Sequence, residues 1–250
     1  MKQTLIGFFI MTGLGFSAFG SALYGDHSFP FKKFPLGDHS FPLVQPGYVT
    51  FVEDGDSIIV EFEDPQGGFR FVDLEGIDAM EVSYKGHHQG WGADLARDNL
   101  TKFLPYGTPV YVAFEEKTQG DFLNENYQMR GFVFSWQSKN KKWTAVNEWL
   151  LKEGLAVAHI VSPNVKKAEK FLALTRESQK AGRGIFTATL WKGVPYDFRV
   201  FIDEKAMLWV GDFYTKKLYP PEDYYFVPVS HRVYYEKPEA ALDDGYSYRK

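Results

Sequence analysis

Apolar and polar residues alternate with the period of a β-strand in five stretches of the chain, and three other stretches have the period of an α-helix. The predicted strands are residues 48–52, 57–62, 68–74, 108–114 and 129–136. The predicted helices are residues 91–104, 145–152 and 164–181. Turn sequences separate the first strands, with Asp54-Gly55 before the second strand and a Pro- and Gly-containing segment before the third. A mixed α+β domain over residues 47–187 follows from this order.

The helix pattern also predicts which side chains face the core. In the first helix these are Trp91, Leu95, Leu100 and Phe103, and Pro105 ends the helix. Gly154 is the predicted C-terminal stop of the second helix.

The chain begins with a short basic segment, an apolar run from Leu5 to Phe19 and the small residues Gly20-Ser21-Ala22. This order is typical of a secretory signal peptide, so residues 1–22 are the predicted signal and the mature protein is expected to be exported, periplasmic or secreted. No stable membrane anchoring is expected after cleavage. An uncleaved membrane anchor is the alternative, although the run is short for a span.

Residues 23–46 contain the sequence Gly-Asp-His-Ser-Phe-Pro twice and several prolines. A duplicated linker is the favoured interpretation, because proline disfavours helix and regular sheet. A metal site from His27 and His39 is the alternative. His87 and His88 lie in a polar Gly-rich loop. A solvated loop pair is the favoured interpretation there, and a metal site is the alternative.

Residues 188–250 are rich in aromatic residues and predict a β-rich extension with strands near 196–203, 207–210 and 224–227. Packing against the preceding domain is the favoured role. A platform of exposed rings that stacks bases or sugars is the alternative.

The amino-acid composition excludes several kinds of binding and catalytic site. The 250 residues are 44% hydrophobic and 24% charged, as in a globular protein. The net charge of −4 argues against binding a polyanion by overall charge. The absence of cysteine excludes disulfides, thiolate metal sites and a Cys nucleophile.

Three acidic residues mark a candidate site. Asp56 lies in the turn before one predicted strand, and Asp78 and Glu81 follow another strand. If these strands pair, the three carboxylates converge, and clustered carboxylates either take up protons or hold a hard cation.

Several sequence blocks resemble successive motifs of the thermonuclease, or staphylococcal nuclease-like, family. They are Asp54-Gly55-Asp56-Ser57, Gly76-Ile77-Asp78-Ala79-Met80-Glu81, Tyr127-Gln128-Met129-Arg130-Gly131, and Val146-Asn147-Glu148 with Glu153-Gly154-Leu155-Ala156. The resemblance implies a five-stranded β-barrel of the OB type with three packed helices, and Ca²⁺-dependent hydrolysis of DNA or RNA.

The resemblance also assigns roles to residues. Asp56, Asp78 and the carbonyl of Ala79 correspond to calcium ligands, and Glu81 corresponds to the general base. Arg130 corresponds to an arginine on the phosphate, and Tyr127 to a tyrosine that lines the site.

The sequence departs from the family pattern at the arginines. Asp73 stands where the family has its first arginine, and Arg70 is predicted to point to the opposite face of the strand. Either Gln128 or Arg130 takes the position of the family's second arginine, depending on the register of the strand. Met80 replaces a proline next to the base.

These observations leave two hypotheses. The first is an exported, calcium-dependent nuclease. The second is a catalytically weakened module of the same fold that binds nucleic acid or protein.

Overall fold

The computed structural model describes residues 41, 43–63, 68–83, 86, 88–115, 129–139, 141–189 and 208–249. The predicted signal peptide and most of the predicted linker lie outside these residues, as do Tyr127, Gln128, His87 and the strand predicted at 196–203. These remain predictions from the sequence.

Five strands close into a barrel, as predicted. They are β1 (Leu43–Val52), β2 (Ser57–Phe62), β3 (Phe69–Leu74), β5 (Pro109–Phe114) and β6 (Met129–Gln137). Antiparallel pairs join β3, β2, β1, β5 and β6 in that order, and a parallel pairing of β3 with β6 closes the ring. Along β2 the buried residues Ile58, Val60 and Phe62 alternate with partly exposed ones, which is why this segment forms a half-buried strand.

Strand β1 begins earlier than predicted, at Leu43 rather than residue 48. Residues 43–48 pair with β5, from Leu43 opposite Phe114 to Tyr48 opposite Pro109. Pro46 fits within this strand because its carbonyl accepts a hydrogen bond from the Glu63 N–H at 3.1 Å, and proline lacks only the donor.

The remaining strands are short. They are β4 (Ile77–Asp78), β7 (Lys142–Ala145), β8 (Val157–Ala158), β9 (Ile160–Val161), β10 (Trp209–Asp212), β11 (Lys217–Tyr219), β12 (Arg232–Tyr235) and β13 (Ser247–Tyr248). The β4–β8 pair is antiparallel and fixes the backbone of Asp78 opposite Val157.

Three helices pack around the barrel, as predicted: α1 (Trp91–Phe103), α2 (Val146–Glu153) and α3 (Ala168–Lys180). Helix α3 begins at Ala168, because hydrogen-bonded turns occupy the four residues before it. Gly154 ends α2 in the left-handed conformation, with φ of 67°.

The predicted core face of α1 is partly wrong. Trp91 is 62% exposed, and the buried stripe contains Ala93, Ala96 and Leu100. Small side chains let the helix approach the barrel closely, and a search for large apolar residues overlooks them. Phe103 does pack inward, with its ring stacked on that of Trp149 at 3.9 Å between centroids.

The C-terminal extension is β-rich, as predicted. Its sheet has the order β13-β11-β10-β12-β9, so it includes β9 from the preceding domain. The strand predicted at 224–227 is wrong, because Pro221–Phe226 form a 3₁₀ helix that starts at a proline suited to a first helical turn. A short helix, α4 (Pro238–Asp243), follows β12. Among the described residues, no helix is long and apolar enough to cross a membrane.

Candidate functional site

The turn between β1 and β2 presents the first two acidic side chains. The Oδ1 atom of Asp54 accepts hydrogen bonds from the backbone N–H groups of Asp56, at 3.1 Å, and Ser57, at 2.9 Å. This local bonding is the reason that Asp favours such turns. Gly55 brings the turn close to its neighbours, because a Cβ at this position would lie 2.5 Å from the Cβ of Ala79 and 2.6 Å from that of Ala96.

Two hydrogen bonds join this turn to the segment that carries Asp78. The Ala79 N–H donates to Oδ2 of Asp56 at 2.7 Å. The Leu74 N–H donates to the backbone carbonyl of Asp56 at 2.8 Å. The two sequence blocks that carry the predicted metal ligands are therefore in direct contact.

The predicted acids share one cavity of about 370 Å³. Its lining residues are Asp54, Asp56, Ser57, Asp73, Leu74, Glu75, Gly76, Ile77, Asp78, Glu81, Arg130, His159 and Val161. Asp56, Asp78, Glu81 and Arg130 are thus brought together. Ala79 is not among the lining residues, although its N–H contacts Asp56.

Gln89 positions the backbone of Glu81. Its side-chain oxygen accepts a hydrogen bond from the Glu81 N–H at 2.7 Å, and its own N–H donates to the Glu81 carbonyl at 3.1 Å. Gln89 is buried. The sequence reasoning missed it, because it lies in a Gly-rich loop with no pattern of its own.

Arg130 lies beside Asp73. The two residues are register partners in the parallel pairing of β3 with β6, and both line the cavity. Asp73 also accepts a hydrogen bond from the Ser57 hydroxyl at 3.1 Å. Arg70 is not a lining residue, and its guanidinium donates to the carbonyl of Phe69 at 3.0 Å. Asp73, which stands where the family has its first arginine, therefore faces the site. Arg70 does not replace the missing guanidinium there.

Burial and mutual repulsion raise the pKa values of the clustered acids. For Asp56, burial is the largest cause, followed by the charges of Asp54 and Asp78, and the pKa lies well above its usual range. Burial and the charge of Glu81 raise the pKa of Asp78 in the same way. Burial, with smaller contributions from Asp54 and Asp73, raises the pKa of Glu81 to about 7. Such a cluster retains protons unless a cation offsets its charge.

His159, which the sequence reasoning missed, forms another part of the cavity wall. Burial and the charge of Arg130 lower its pKa to about 4, so the ring is neutral at neutral pH. Its ring contacts that of Tyr234 in β12, with 4.7 Å between centroids. The C-terminal extension therefore supports this wall of the cavity.

The donor set fits calcium chemically, because hard cations prefer carboxylate and carbonyl oxygens. Among the described residues, no group of three or more His, Cys, Asp and Glu side chains is already arranged to hold a metal ion. Binding would thus require the side chains of Asp56 and Asp78 to adjust toward the ion. Attraction of the carboxylates to a bound cation favours this adjustment, because the cation offsets their mutual repulsion.

Comparisons with known proteins agree with the fold. Residues 71–188 match the family described as Staphylococcal nuclease homologue, so the predicted resemblance to the thermonuclease-like family is confirmed. The matched segment contains Asp78, Glu81 and Arg130 but begins after Asp56. The chain is also 25% identical over 214 residues to Endonuclease YhcR of Bacillus subtilis (strain 168), across 82% of this chain and 17% of that protein.

Proposed function

We propose that this chain is an exported protein that binds calcium and hydrolyses phosphodiester bonds of DNA or RNA. Its residues 71–188 match the family described as Staphylococcal nuclease homologue. The observation that carries the proposal is the shared cavity of Asp56, Asp78, Glu81 and Arg130. Acidic oxygen donors, a carboxylate that titrates near neutral pH and a guanidinium are the groups that this reaction requires.

In this proposal four residues of the cavity and one backbone carbonyl beside it have assigned roles. Asp56, Asp78 and the Ala79 carbonyl hold the calcium ion, which when bound polarises a phosphoryl oxygen and offsets developing negative charge. Glu81 accepts a proton from the attacking water, and its pKa of about 7 suits a general base at neutral pH. Arg130 donates hydrogen bonds to the phosphate oxygens.

Asp73 is expected to slow the reaction. It places a carboxylate where the family has an arginine, and loss of one preorganised donor typically costs ~10²–10³ in rate. Hydrolysis by the wild-type protein is therefore expected to be weak but dependent on calcium.

The test is a nuclease assay of the purified mature protein on single- and double-stranded DNA and on RNA, with calcium or with a calcium chelator. Cleavage with calcium, its loss with chelator, and loss of at least ~10²-fold in Glu81→Gln and Arg130→Ala are expected. Glu236→Gln changes an exposed acid outside the cavity and serves as the control. Cleavage by Glu81→Gln at the wild-type rate would contradict the assigned base.

The second candidate is a module that binds nucleic acid or protein without turnover. It is favoured by Asp73, which lines the cavity and is register partner to Arg130. Binding of oligonucleotides without cleavage in wild type, together with cleavage by Asp73→Arg, would support it. Strong chelator-sensitive cleavage by wild type would exclude it.

Export is part of the same proposal. We infer it from the predicted signal peptide at residues 1–22, and the mature protein is then expected to have no stable membrane anchor. N-terminal sequencing of protein recovered outside the cytoplasm should show cleavage near Ala22. A full-length chain confined to the cytoplasm would contradict export.

A further inference from the structure

Asp73 and Glu75 are two further acidic residues of the cavity that also contains Asp56 and Asp78. Asp73 lies in β3 and Glu75 lies in the turn that follows this strand. Neither carboxylate has an ion pair with Arg130 within the described part of the chain. Burial raises the pKa of both carboxyl groups, and the nearby charge of Arg130 offsets only part of this effect.

Glu75 has an oxygen that the surrounding protein leaves unsatisfied. Its Oε2 atom is buried and has no hydrogen-bond partner among the described residues. The side chain of Asn164 hydrogen-bonds to Glu75, yet the Oδ1 atom of Asn164 is itself buried and unpartnered in the same part of the structure. Buried polar oxygens without partners are rare, because each lacks the hydrogen bonds it would have in water. A proton on Glu75 or a bound cation would satisfy both oxygens, and the charge of the cavity distinguishes the two.

The charge in the cavity favours a bound cation. Among the described residues, six carboxylates line it: Asp54, Asp56, Asp73, Glu75, Asp78 and Glu81. Arg130 and one calcium ion would together supply three positive charges, which is half of what six ionised carboxylates require. A phosphodiester adds a further negative charge, so when all six carboxylates are ionised one cation leaves the cavity repulsive to the substrate. Replacing an arginine with Asp73 changes the local charge by two units, which is the charge of one divalent ion.

We propose that Asp73, Glu75 and the Oδ1 atom of Asn164 bind a second divalent cation, of the hard, oxygen-preferring class that includes calcium, magnesium and manganese. Its role as a substitute for the absent guanidinium rests on the proposed function, while the binding itself does not. In that role the second ion offsets charge on the phosphate, as paired ions do in two-metal phosphoryl-transfer sites.

The test is the number of calcium ions bound per chain, measured by equilibrium dialysis and by calorimetric titration of the full protein without nucleic acid. Wild type is expected to bind two ions per chain. Asp73→Asn combined with Glu75→Gln should bind one, as should Asp56→Asn combined with Asp78→Asn. These replacements preserve side-chain size, and circular dichroism checks that each variant is folded. The control Glu236→Gln should still bind two.

One ion per wild-type chain would overturn the inference, as would two ions in the Asp73→Asn, Glu75→Gln protein. Terbium luminescence, sensitised by nearby aromatic residues, gives an independent stoichiometry if a double variant folds poorly, with Glu75→Gln alone then expected to lose one ion.

The nuclease assay separates this inference from the proposed function. Two bound ions in a protein without nuclease activity support the second subsite and contradict the proposed hydrolysis. One bound ion in an active nuclease overturns the subsite alone. If both proposals hold, calcium activation should be cooperative in wild type, with a Hill coefficient near 2 that falls to about 1 in Asp73→Arg.

Discussion

Glu81→Gln should stabilise the calcium-free protein at alkaline pH. The pKa of Glu81 rises from an ordinary value of 4.5 to about 7, chiefly through burial. The ionised carboxylate is therefore less favourable in the folded protein than in the unfolded chain. A neutral glutamine of the same shape removes this cost. It leaves the hydrogen bond from the Glu81 backbone to Gln89 in place, because that bond uses the N–H group.

The size of the effect follows from the pKa shift. One pKa unit corresponds to about 1.4 kcal/mol, so the full shift is worth about 3 kcal/mol. Glu81 is partly exposed, and solvent screening reduces the expected gain to about 1–2 kcal/mol. For a domain of this size, that raises the melting temperature by about 3–6 °C.

The gain should depend on pH in a defined direction. A carboxylate with a raised folded-state pKa adds stability below its unfolded pKa, and that stability is lost as pH rises through the folded value. The relevant window therefore runs from about 4.5 to about 7. In wild type the free energy of unfolding should fall across this window, and in Glu81→Gln it should fall less.

The assay is thermal unfolding in calcium chelator at pH 8 and near pH 4.5, with Glu236→Gln as the exposed control. The difference between Glu81→Gln and wild type should be large at pH 8 and mostly absent near pH 4.5. Equal melting temperatures at pH 8, or a difference independent of pH, would refute the argument that Glu81 is destabilised by its surroundings.

Two further predictions concern the scaffold of the site. Asn147→Ala should lower the free energy of unfolding by about 2–3 kcal/mol, because it leaves the buried N–H of Val133 without its 3.0 Å acceptor. Chemical denaturation measures this loss, and a loss below about 0.5 kcal/mol would contradict the prediction. Gly55→Ala should destabilise by about 1–3 kcal/mol, because the new methyl group would overlap Ala79 and Ala96. The same denaturation series tests it, and calcium affinity should fall in parallel because this turn carries two of the acids.

The barrel strands were predictable because their apolar residues alternate, as Ile58, Val60 and Phe62 do. Closure of the barrel was not predictable from this pattern. The pairing of β3 with β6 joins segments about 60 residues apart, and periodicity does not show which strands pair. The family resemblance supplied that part. Helix α1 shows a limit of another kind, because its contact face uses alanines rather than the large apolar residues that define a pattern.

The candidate site was predictable only in part. Asp56, Asp78 and Glu81 were found from their positions beside predicted strands and Arg130 through the resemblance, and the structure places the four residues in one cavity. Glu75 was missed, because it lies in the turn after β3, where the alternating pattern has ended. His159 was missed as well, because a single histidine after a two-residue strand has no periodic context.

The parallel pairing of β12 with β9 has a consequence for how this molecule can be divided. Val233 and Tyr234 are register partners of Ile160 and Val161, so the tail completes a sheet that starts inside the family-matched segment. A fragment cut after residue 189 would leave that strand with an open edge prone to intermolecular pairing. We therefore expect a fragment that ends with the family-matched segment to aggregate more readily than the full chain, which makes that truncation a poor choice for expression.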